Sequence, residues 1–200
     1  PVYDPHRAEP YLIEPGDRVR FVPVEHGAPL PPLQPLDLLP AEPEHPAFVV
    51  RRPGLLDLVV DRGRFLVGRL GFARSGPLDA ASARIANALL ANRPDAPLLE
   101  MNVLGPTLEA VRDVVVAVAG PGVRFMIDGR AAEPYVTTLV KRGQVLTFPP
   151  ASSGTRGYLA VAGGIASATF LGSASVDVRV LVGRPLQADD VLAVAEQRTP

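Results

Sequence analysis

A hydroxyl and a carboxylate lie four residues apart in the segment SGPLD at residues 75–79, where the sequence predicts the start of a helix. The first N–H groups of a helix have no partner inside the helix, and the helix dipole favours negative charge at that end. With Ser75 and Asp79 beside them, these N–H groups suit an anion or a carbonyl oxygen. Ordinary helix capping by the same side chains is the structural alternative.

The helix itself is predicted over residues 77–91. Gly76 is a tolerated cap, and Pro77 fits the first helical position because its missing N–H needs no partner there. Asn92 and Pro94 mark the end, since asparagine tolerates the left-handed conformation and proline forbids continuation. Four apolar residues follow a helical period and predict a buried face that packs on a sheet: Leu78, Ala81, Ile85 and Leu89.

Short strand patterns separated by turns dominate the sequence beyond residue 53. Gly120-Pro121-Gly122 and Asp128-Gly129 are typical of tight turns in hairpins. Nine strands are predicted, at residues 55–60, 65–70, 107–110, 113–119, 123–127, 137–140, 144–148, 157–162 and 191–195. Nine short strands with one main helix favour a mainly β fold, a closed or nearly closed barrel, over a parallel sheet with alternating helices.

The first 53 residues divide into two parts. Residues 14–24 combine a turn at Pro15-Gly16-Asp17 with an alternating strand pattern, and a lone strand must belong to another domain or add to the domain that follows. Residues 25–53 carry eight prolines, which predict an extended linker without regular hydrogen bonding. The leucines within it either lie along a groove or belong to a solvated spacer: Leu33, Leu36, Leu38 and Leu39.

Composition argues against several classes of function. A net charge of −1 over 200 residues gives no electrostatic basis for nucleic-acid binding, and no apolar run approaches the length that spans a membrane. The absence of cysteine removes disulfides and thiolate chemistry, and the first residues lack a signal-peptide core, so a cytoplasmic location is expected. The spacing of His6, His26 and His45 matches no metal-ligand pattern, so no metal site is predicted.

Common nucleotide and hydrolase motifs are missing as well. Lys141 is the only lysine, which excludes a Gly-Lys-Ser/Thr phosphate loop. The segments GPGVRF at Gly120 and AGGIAS at Ala162 follow strands but open no helix, so both are predicted as turns. Ser75 does not lie in a Gly-x-Ser-x-Gly elbow, and no histidine follows His45 to activate it.

Six blocks in a fixed order carry a resemblance to a known family: GLLDLVVDRGR, LGFARSGPLD, RIANALLANRPDAPLLE, LGPTLE, GYLAVAGGI and LGSASVD. They resemble the start of KipA-type proteins, which are also known as the C component of 5-oxoprolinase or as allophanate hydrolase subunit 2. The segment YDPHRAEPYLIEPGDRVRFVPV resembles the C-terminal end of the partner protein KipI, the B component of 5-oxoprolinase. The resemblance implies a KipI/KipA fusion in which residues 1–24 end a KipI-like domain, residues 25–53 are a linker and residues 54–200 form the first half of a KipA-like domain.

The family resemblance implies a cyclophilin-like β-barrel. It also implies one of two activities. The first is the ATP-dependent opening of 5-oxoproline to glutamate together with a third component of 5-oxoprolinase, the A component, with ATP bound together with the partner part. The second is the carboxyltransferase part of a biotin-dependent urea carboxylase. The implied partners are the remainder of the KipI and KipA halves and the A component, with no nucleic acid and no membrane.

Matching this sequence to the family motif residue by residue implies a set of site residues. The catalytic candidates are three carboxylates: Asp61, Asp79 and Glu100. The substrate-binding candidates are Arg64, Ser75, Gly76, Asn87 and Asp177. In the first activity, Arg64 and the helix start hold an anionic amide while a carboxylate carries protons. This hypothesis predicts that these side chains converge on one concavity.

Five positions depart from the family motif. The motif has glutamine at Val60, proline at Arg74, aspartate at Ala166, arginine at Ala174 and a histidine near Arg69. Loss of an arginine removes a bidentate hydrogen-bond donor for a carboxylate or phosphate. The departures favour a third hypothesis, a regulatory or binding module that keeps the fold without turnover, as in the relative that regulates a sporulation kinase.

Overall fold

The computed structural model describes residues 2–25, 27 and 32–195. Its described part contains eleven strands: β1 (Pro46–Arg52), β2 (Asp57–Val60), β3 (Leu98–Asn102), β4 (Thr107–Ala110), β5 (Val114–Ala119), β6 (Phe125–Ile127), β7 (Arg130–Ala132), β8 (Thr137–Val140), β9 (Val145–Thr147), β10 (Arg156–Val161) and β11 (Val191–Ala193). One α-helix, α1 (Ala80–Leu89), and two 3-10 helices, Gly68–Leu70 and Val178–Val180, complete the elements. The prediction of a mainly β chain with one main helix is confirmed.

The strands form two hydrogen-bonded sheets rather than one continuous ladder. The first has the order β11-β1-β4-β9-β6-β7, and the second has the order β2-β3-β10-β5-β8. All named pairs are antiparallel. The main core lies between the sheets, where Phe48 and Leu108 of the first sheet meet Leu99, Val116 and Leu159 of the second. Each of these five side chains is fully buried, and its burial contributes about 1.5–3 kcal/mol to stability.

Most predicted strands are present, with bounds that differ by a few residues. The tight turn at Asp128-Gly129 joins β6 to β7, and both residues have positive φ, 50° and 75°, as a two-residue primed turn requires. Strands β1, β3 and β7 were not predicted. The strand predicted at residues 65–70 is wrong, because this segment forms a turn and the 3-10 helix Gly68–Leu70 instead.

Helix α1 packs on the outer face of the second sheet with a different side from the one predicted. Its buried residues are Ser82, Ala83, Ala86 and Asn87. Ile85 is 43% exposed, so the predicted buried face is wrong. Alanines face small side chains of the sheet, Ala119 and Ala160 among them, and this lets the helix approach closely. The helix also begins three residues later than predicted, with Asp79 as its N-cap instead of Gly76.

The proline-rich segment is more ordered than predicted. Residues 46–52 form β1, which lies between β11 and β4 inside the first sheet, so the prediction of no regular structure is wrong there. Pro46 is tolerated because it is the first residue of the strand. Leu38 is 2% exposed and packs with Val67, Phe72 and Val182, which supports the groove interpretation over the solvated spacer.

The N-terminal segment contacts the rest of the chain through tyrosines. Tyr3 bridges to Tyr11, and both rings lie near Phe72, with ring centroids 6.0 and 5.5 Å away. Burial raises the pKa of Tyr3 to about 12, and its hydroxyl donates to the carbonyl oxygen of Val180.

Residues 17–24 form no strand and are exposed, so the strand predicted within residues 14–24 is wrong. The turn at Pro15-Gly16 is present. His26 lies outside the described residues.

None of the helices in the described ranges combines the length and apolar character needed to cross a bilayer.

Asp57 gives the protein a predictable dependence of stability on pH. Its carboxylate is 1% exposed, accepts a hydrogen bond from the N–H of Gly54, and leaves Oδ1 without a hydrogen-bond partner among the described residues. Burial raises the pKa of Asp57 from 3.8 to about 6. Because the folded state holds this proton more tightly than the unfolded state, the resulting stabilisation is present below about pH 4 and is lost as pH rises through 6.

We therefore expect the free energy of unfolding of the wild type, relative to Asp57→Asn, to fall by roughly 2.5 kcal/mol between pH 4 and pH 7. Asparagine is the matched replacement because its side-chain oxygen still accepts from Gly54 and it carries no charge to bury. Urea denaturation of both proteins across this pH range measures the difference. A difference that stays constant with pH would contradict the assignment.

Candidate functional site

A concavity of about 500 Å³ lies beside α1, against the ends of β2 and β3. Its floor is apolar and comes from β2, β3, the helix and the loop between helix and β3. Its polar lining residues are Asp61, Arg62, Arg74, Arg84 and Asn87. The volume lies within the range of about 300–1,000 Å³ that is usual for small-molecule sites, so this concavity is the candidate functional site.

Two loops meet at the concavity with their backbones in direct contact. The N–H of Arg64 donates to the carbonyl oxygen of Arg74 at 2.6 Å. Gly63 has φ +85°, and a Cβ there would lie 2.6 Å from the same oxygen. Ser75 and Gly76 also have positive φ, 56° and 87°. Glycine at position 63 is therefore required by both the backbone conformation and the close approach.

Asp61 is the predicted catalytic carboxylate that lines the concavity, and it is held by several donors. It accepts hydrogen bonds from the N–H of Gly63 at 2.8 Å and of Ala174 at 2.7 Å. The hydroxyls of Ser173 and Ser175 donate to Oδ1, the latter at 2.7 Å. These contacts fix the orientation of the carboxylate and connect β2 to the loop that precedes the 3-10 helix Val178–Val180.

Arg64 is buried and does not line the concavity. Its side chain is 2% exposed, and it donates to the carbonyl oxygens of Phe170, at 3.2 Å, and Ser175. The guanidinium also lies over the ring of Phe170, 5.7 Å from its centroid. Burial lowers the pKa of Arg64, while the nearby carboxylates of Asp177 and Asp61 act in the opposite direction. In this position the arginine joins loops and does not line the concavity.

Ser75 and Asp177 contact each other beside Arg64. The hydroxyl of Ser75 donates to Asp177 Oδ2 at 2.9 Å, and the guanidinium of Arg179 donates to both carboxylate oxygens at 3.0 Å. Burial alone would raise the pKa of Asp177, but the hydrogen bonds from Arg179 and Ser75 hold it below its ordinary value. The structure thus brings Asp61, Arg64, Ser75 and Asp177 into one polar cluster.

The other two predicted catalytic carboxylates accept hydrogen bonds from the start of α1. Asp79 accepts from the N–H groups of Ala81 and Ser82 and from the hydroxyl of Ser82, and these bonds lower its pKa. Glu100 is 7% exposed and accepts from the N–H of Leu78 at 2.8 Å and from the hydroxyl of Tyr158 at 2.7 Å. Both carboxylates thus shape the helix start, which agrees with the capping alternative.

Tyr158 links the carboxylate of Glu100 to the backbone of Asp79. Its hydroxyl accepts from the N–H of Asp79 at 2.7 Å while it donates to Glu100. Burial and the hydrogen bond to Glu100 raise the pKa of Tyr158. Arg156 lies 3.4 Å from the other oxygen of Glu100. The helix start is therefore tied to β3 and β10 through a buried chain of hydrogen bonds.

Asn87 lines the concavity from the helix side and is 3% exposed. Its amide nitrogen donates to the carbonyl oxygen of Ala96 at 2.9 Å, and its oxygen accepts from Asn92 at 2.9 Å. Asn92 in turn donates to Val161 and accepts from Gly163. Asn87 therefore joins the C-terminal part of the helix to the loop before β3.

The predicted residues converge only in part. Asp61 and Asn87 line the concavity. The other six predicted site residues do not line it: Arg64, Ser75, Gly76, Asp79, Glu100 and Asp177. Three lining residues were not predicted as site residues, and each adds a positive charge: Arg62, Arg74 and Arg84. Ser173 and Ser175 were missed as well, although their alternation within LGSASVD places both hydroxyls on one side of an extended segment.

Comparison with known proteins identifies relatives of this chain. A family model described as carboxyltransferase domain, subdomain A and B, matches residues 70–200. The C component of 5-oxoprolinase from Escherichia coli K12 is 36% identical over 151 residues, covering 74% of this chain and 49% of that protein. Urea amidolyase of Saccharomyces cerevisiae is 34% identical over 154 residues, covering 74% of this chain and 8% of that protein.

Two solved structures extend the comparison. The crystal structure of TTHA0988 superposes with a TM-score of 0.93 at 55% identity and covers 100% of this chain and 41% of that one. The K. lactis urea amidolyase has a TM-score of 0.74 at 33% identity and covers 78% of this chain and 10% of that one. This chain therefore spans about half the length of the 5-oxoprolinase C component and a small part of urea amidolyase. The resemblance to KipA-type proteins is confirmed, and the chain belongs to the family of the carboxyltransferase domain, subdomains A and B.

Proposed function

We propose that this chain is part of an ATP-dependent 5-oxoprolinase of the KipI/KipA type, which opens 5-oxoproline to glutamate together with a partner that resembles the A component. The observation that carries the proposal is the size of the relatives that contain the same segments. All of this chain, including the N-terminal and proline-rich segments, matches 41% of TTHA0988, whereas 78% of it matches only 10% of the K. lactis urea amidolyase. This arrangement therefore occurs in a protein far shorter than urea amidolyase.

We also propose the domain organisation that the sequence suggested. Residues 1–24 would end a KipI-like domain and residues 54–200 would form the first half of a KipA-like domain, joined by residues 25–53. Phe21 is 92% exposed and Val24 is 72% exposed, although their sequence pattern is that of a strand. An alternating segment with such exposed apolar side chains is expected to pair with another domain, and a preceding KipI-like domain would supply that sheet.

The chemistry of the site supports an anionic amide as substrate. Three arginines line the concavity, and the apolar floor suits a small ring. Asp61 lies on this surface and is the carboxylate we propose to face the substrate. Asp79 and Glu100 are proposed as positioning residues, because their oxygens are used by the helix start and Tyr158.

The fit of the implied cofactors differs between the two activities. When bound, ATP supplies a phosphoryl group that activates an amide oxygen, and the arginines of the concavity are the residues that would hold phosphate oxygens. Covalent biotin does not fit within this chain, because Lys141 is its single lysine and lies between Val140 and Arg142 instead of in a Met-Lys-Met biotinyl segment. The urea carboxylase alternative therefore requires biotin on another chain or segment.

A regulatory module remains the second candidate, and one observation favours it. Arg64, Asp79 and Glu100, all matched to the family motif, have their polar atoms engaged in contacts that hold the fold together. A protein can keep such contacts without turning over a substrate.

The test is 5-oxoproline hydrolysis by the complete fusion with its A-component partner, with ATP present or absent, measured as glutamate formation. We expect ATP-dependent activity. Absence of activity in the wild type would favour the regulatory module, and activity on urea with a biotin carboxylase would favour the carboxyltransferase alternative.

The Asp79→Asn variant separates capping from catalysis within the same assay. Asparagine caps a helix about as well as aspartate, so we expect an unchanged melting temperature and activity within about twofold of the wild type. A loss of about a hundredfold in kcat at unchanged melting temperature would instead make Asp79 a catalytic residue.

A further inference from the structure

The three arginines of the concavity, Arg62, Arg74 and Arg84, form what we call the arginine edge. All three residues are exposed, and none forms an ion pair with an acid among residues 2–25, 27 and 32–195. By contrast, Arg51, Arg93, Arg156, Arg179 and Arg184 each have a carboxylate within 4 Å. The arginine edge is thus a group of cations without a direct ion pair in the described part of the fold, and Asp95 is near enough to Arg62 for that charge to help lower the pKa of the Asp95 carboxyl.

The fold holds two members of this edge at one aromatic ring. The guanidinium of Arg74 lies 4.3 Å from the ring centroid of Phe65, and that of Arg62 lies 5.5 Å from the same centroid. Arg74 also donates twice to the carbonyl oxygen of Arg62 at 3.3 Å. The close backbone contact at Gly63 sets the distance between the two loops. Two like charges held at one ring repel, and a bound anion nearby reduces the repulsion.

The rest of the concavity limits the kind of anion. Its volume of about 500 Å³ exceeds what a single inorganic ion fills, and its floor includes apolar residues such as Ala83, Ala96 and Leu98. Among the described residues, Asp61 is the single lining carboxylate, and its oxygens already accept four hydrogen bonds. Three cations against one carboxylate leave the surface positive.

We propose that the arginine edge recognises the acid group of an organic anion whose uncharged body lies on the apolar floor. This inference deepens the proposed function, on which it rests for the expectation that 5-oxoproline is one such anion. It assigns anion recognition to Arg62, Arg74 and Arg84, in place of the buried Arg64.

Isothermal titration calorimetry on the full-length protein at low ionic strength tests this with two matched pairs of probes. 5-Oxoproline is compared with 2-pyrrolidinone, which has the same ring without the carboxylate, and adenosine monophosphate is compared with adenosine. In at least one pair we expect the acid to bind about tenfold or more tightly than its neutral partner, the scale of one charge-assisted hydrogen bond. The pair that shows the difference tells whether the edge takes a carboxylate or a phosphate.

Arginine variants show whether the edge is responsible. Arg62→Gln, Arg74→Gln and Arg84→Gln should each weaken binding of the acid by about fivefold or more and leave binding of the neutral partner unchanged. Arg142→Gln is the matched control, because Arg142 is exposed and lies in the turn before β9, outside the concavity. Melting temperatures of all four variants should match the wild type, since these side chains are exposed.

Binding of the acids no tighter than the neutral compounds, no binding of either acid, or equal effects of Arg142→Gln and the edge variants would overturn the proposal. The binding measurement needs neither ATP nor the A component. Failure of 5-oxoproline hydrolysis with intact anion binding would therefore overturn the proposed function alone, and hydrolysis without a contribution from the edge would overturn this inference alone.

Discussion

Replacing Arg64 with alanine should lower the free energy of unfolding by about 3–5 kcal/mol, the range typical of breaking a buried charged network by removing one partner. The guanidinium is buried and donates to the carbonyl oxygens of Phe170 and Ser175. Without it, these oxygens lose their partner, and the carboxylates of Asp61 and Asp177 lose a nearby positive charge.

Arg62→Ala is the matched control for this prediction. Arg62 is two residues away and exposed, so its loss should change stability by no more than about 0.5 kcal/mol. Urea denaturation of both variants measures the two values. If Arg64→Ala proved as stable as Arg62→Ala, the buried arginine would not hold the loops together. A loss of activity in Arg64→Ala has to be interpreted against its stability, because unfolding removes the site in any case.

Replacing Gly63 with alanine should destabilise the protein by about 3–4 kcal/mol, the sum of a left-handed backbone and an overpacked contact. Gly63 has φ +85°, and its new Cβ would lie 2.6 Å from the carbonyl oxygen of Arg74 and 2.8 Å from that of Ser75. Both contacts are with backbone atoms, so relief requires the two loops to separate. We also expect the separation to disturb the adjacent arginine edge.

The matched control is Gly143→Ala, because Gly143 has the same φ of +85° and a new Cβ there would have no described atom within 4 Å beyond its chain neighbours. It should cost only about 1 kcal/mol, the strain of the left-handed conformation alone. The difference between the two variants in urea denaturation isolates the close approach of the loops. Equal losses of stability in both would show that the contact at Gly63 relaxes freely.

The helix shows which features sequence periodicity can predict and which it cannot. Its existence and approximate end followed from Pro77, Asn92 and Pro94, and the structure places α1 at Ala80–Leu89. Its buried side did not follow, because periodicity identifies residues that share a face but not the face that meets the sheet. The sheet offers alanines, so the helix packs with Ala83 and Ala86 while the larger Ile85 stays partly exposed.

In the candidate site, too, the sequence identified some residues correctly, and only the structure placed the others. The motif match selected Asp61 and Asn87, which line the concavity, but also Arg64, which is buried. The burial of Arg64 depends on carbonyl oxygens more than 100 residues away along the chain, at Phe170 and Ser175. Local sequence carries no information about such distant partners.

By itself, the sequence determined the strand-rich composition, the tight turns, the helix and the ordered blocks that mark the family, because each depends on the conformational preferences of neighbouring residues. Tertiary structure alone decided that Pro46–Arg52 is a strand inside a sheet and that Arg62 and Arg74 share the ring of Phe65. The strand requires hydrogen-bond partners in β4 and β11, which lie far along the chain. The shared ring requires the backbone contact between the loops at Arg64 and Arg74, which forms only in the folded chain.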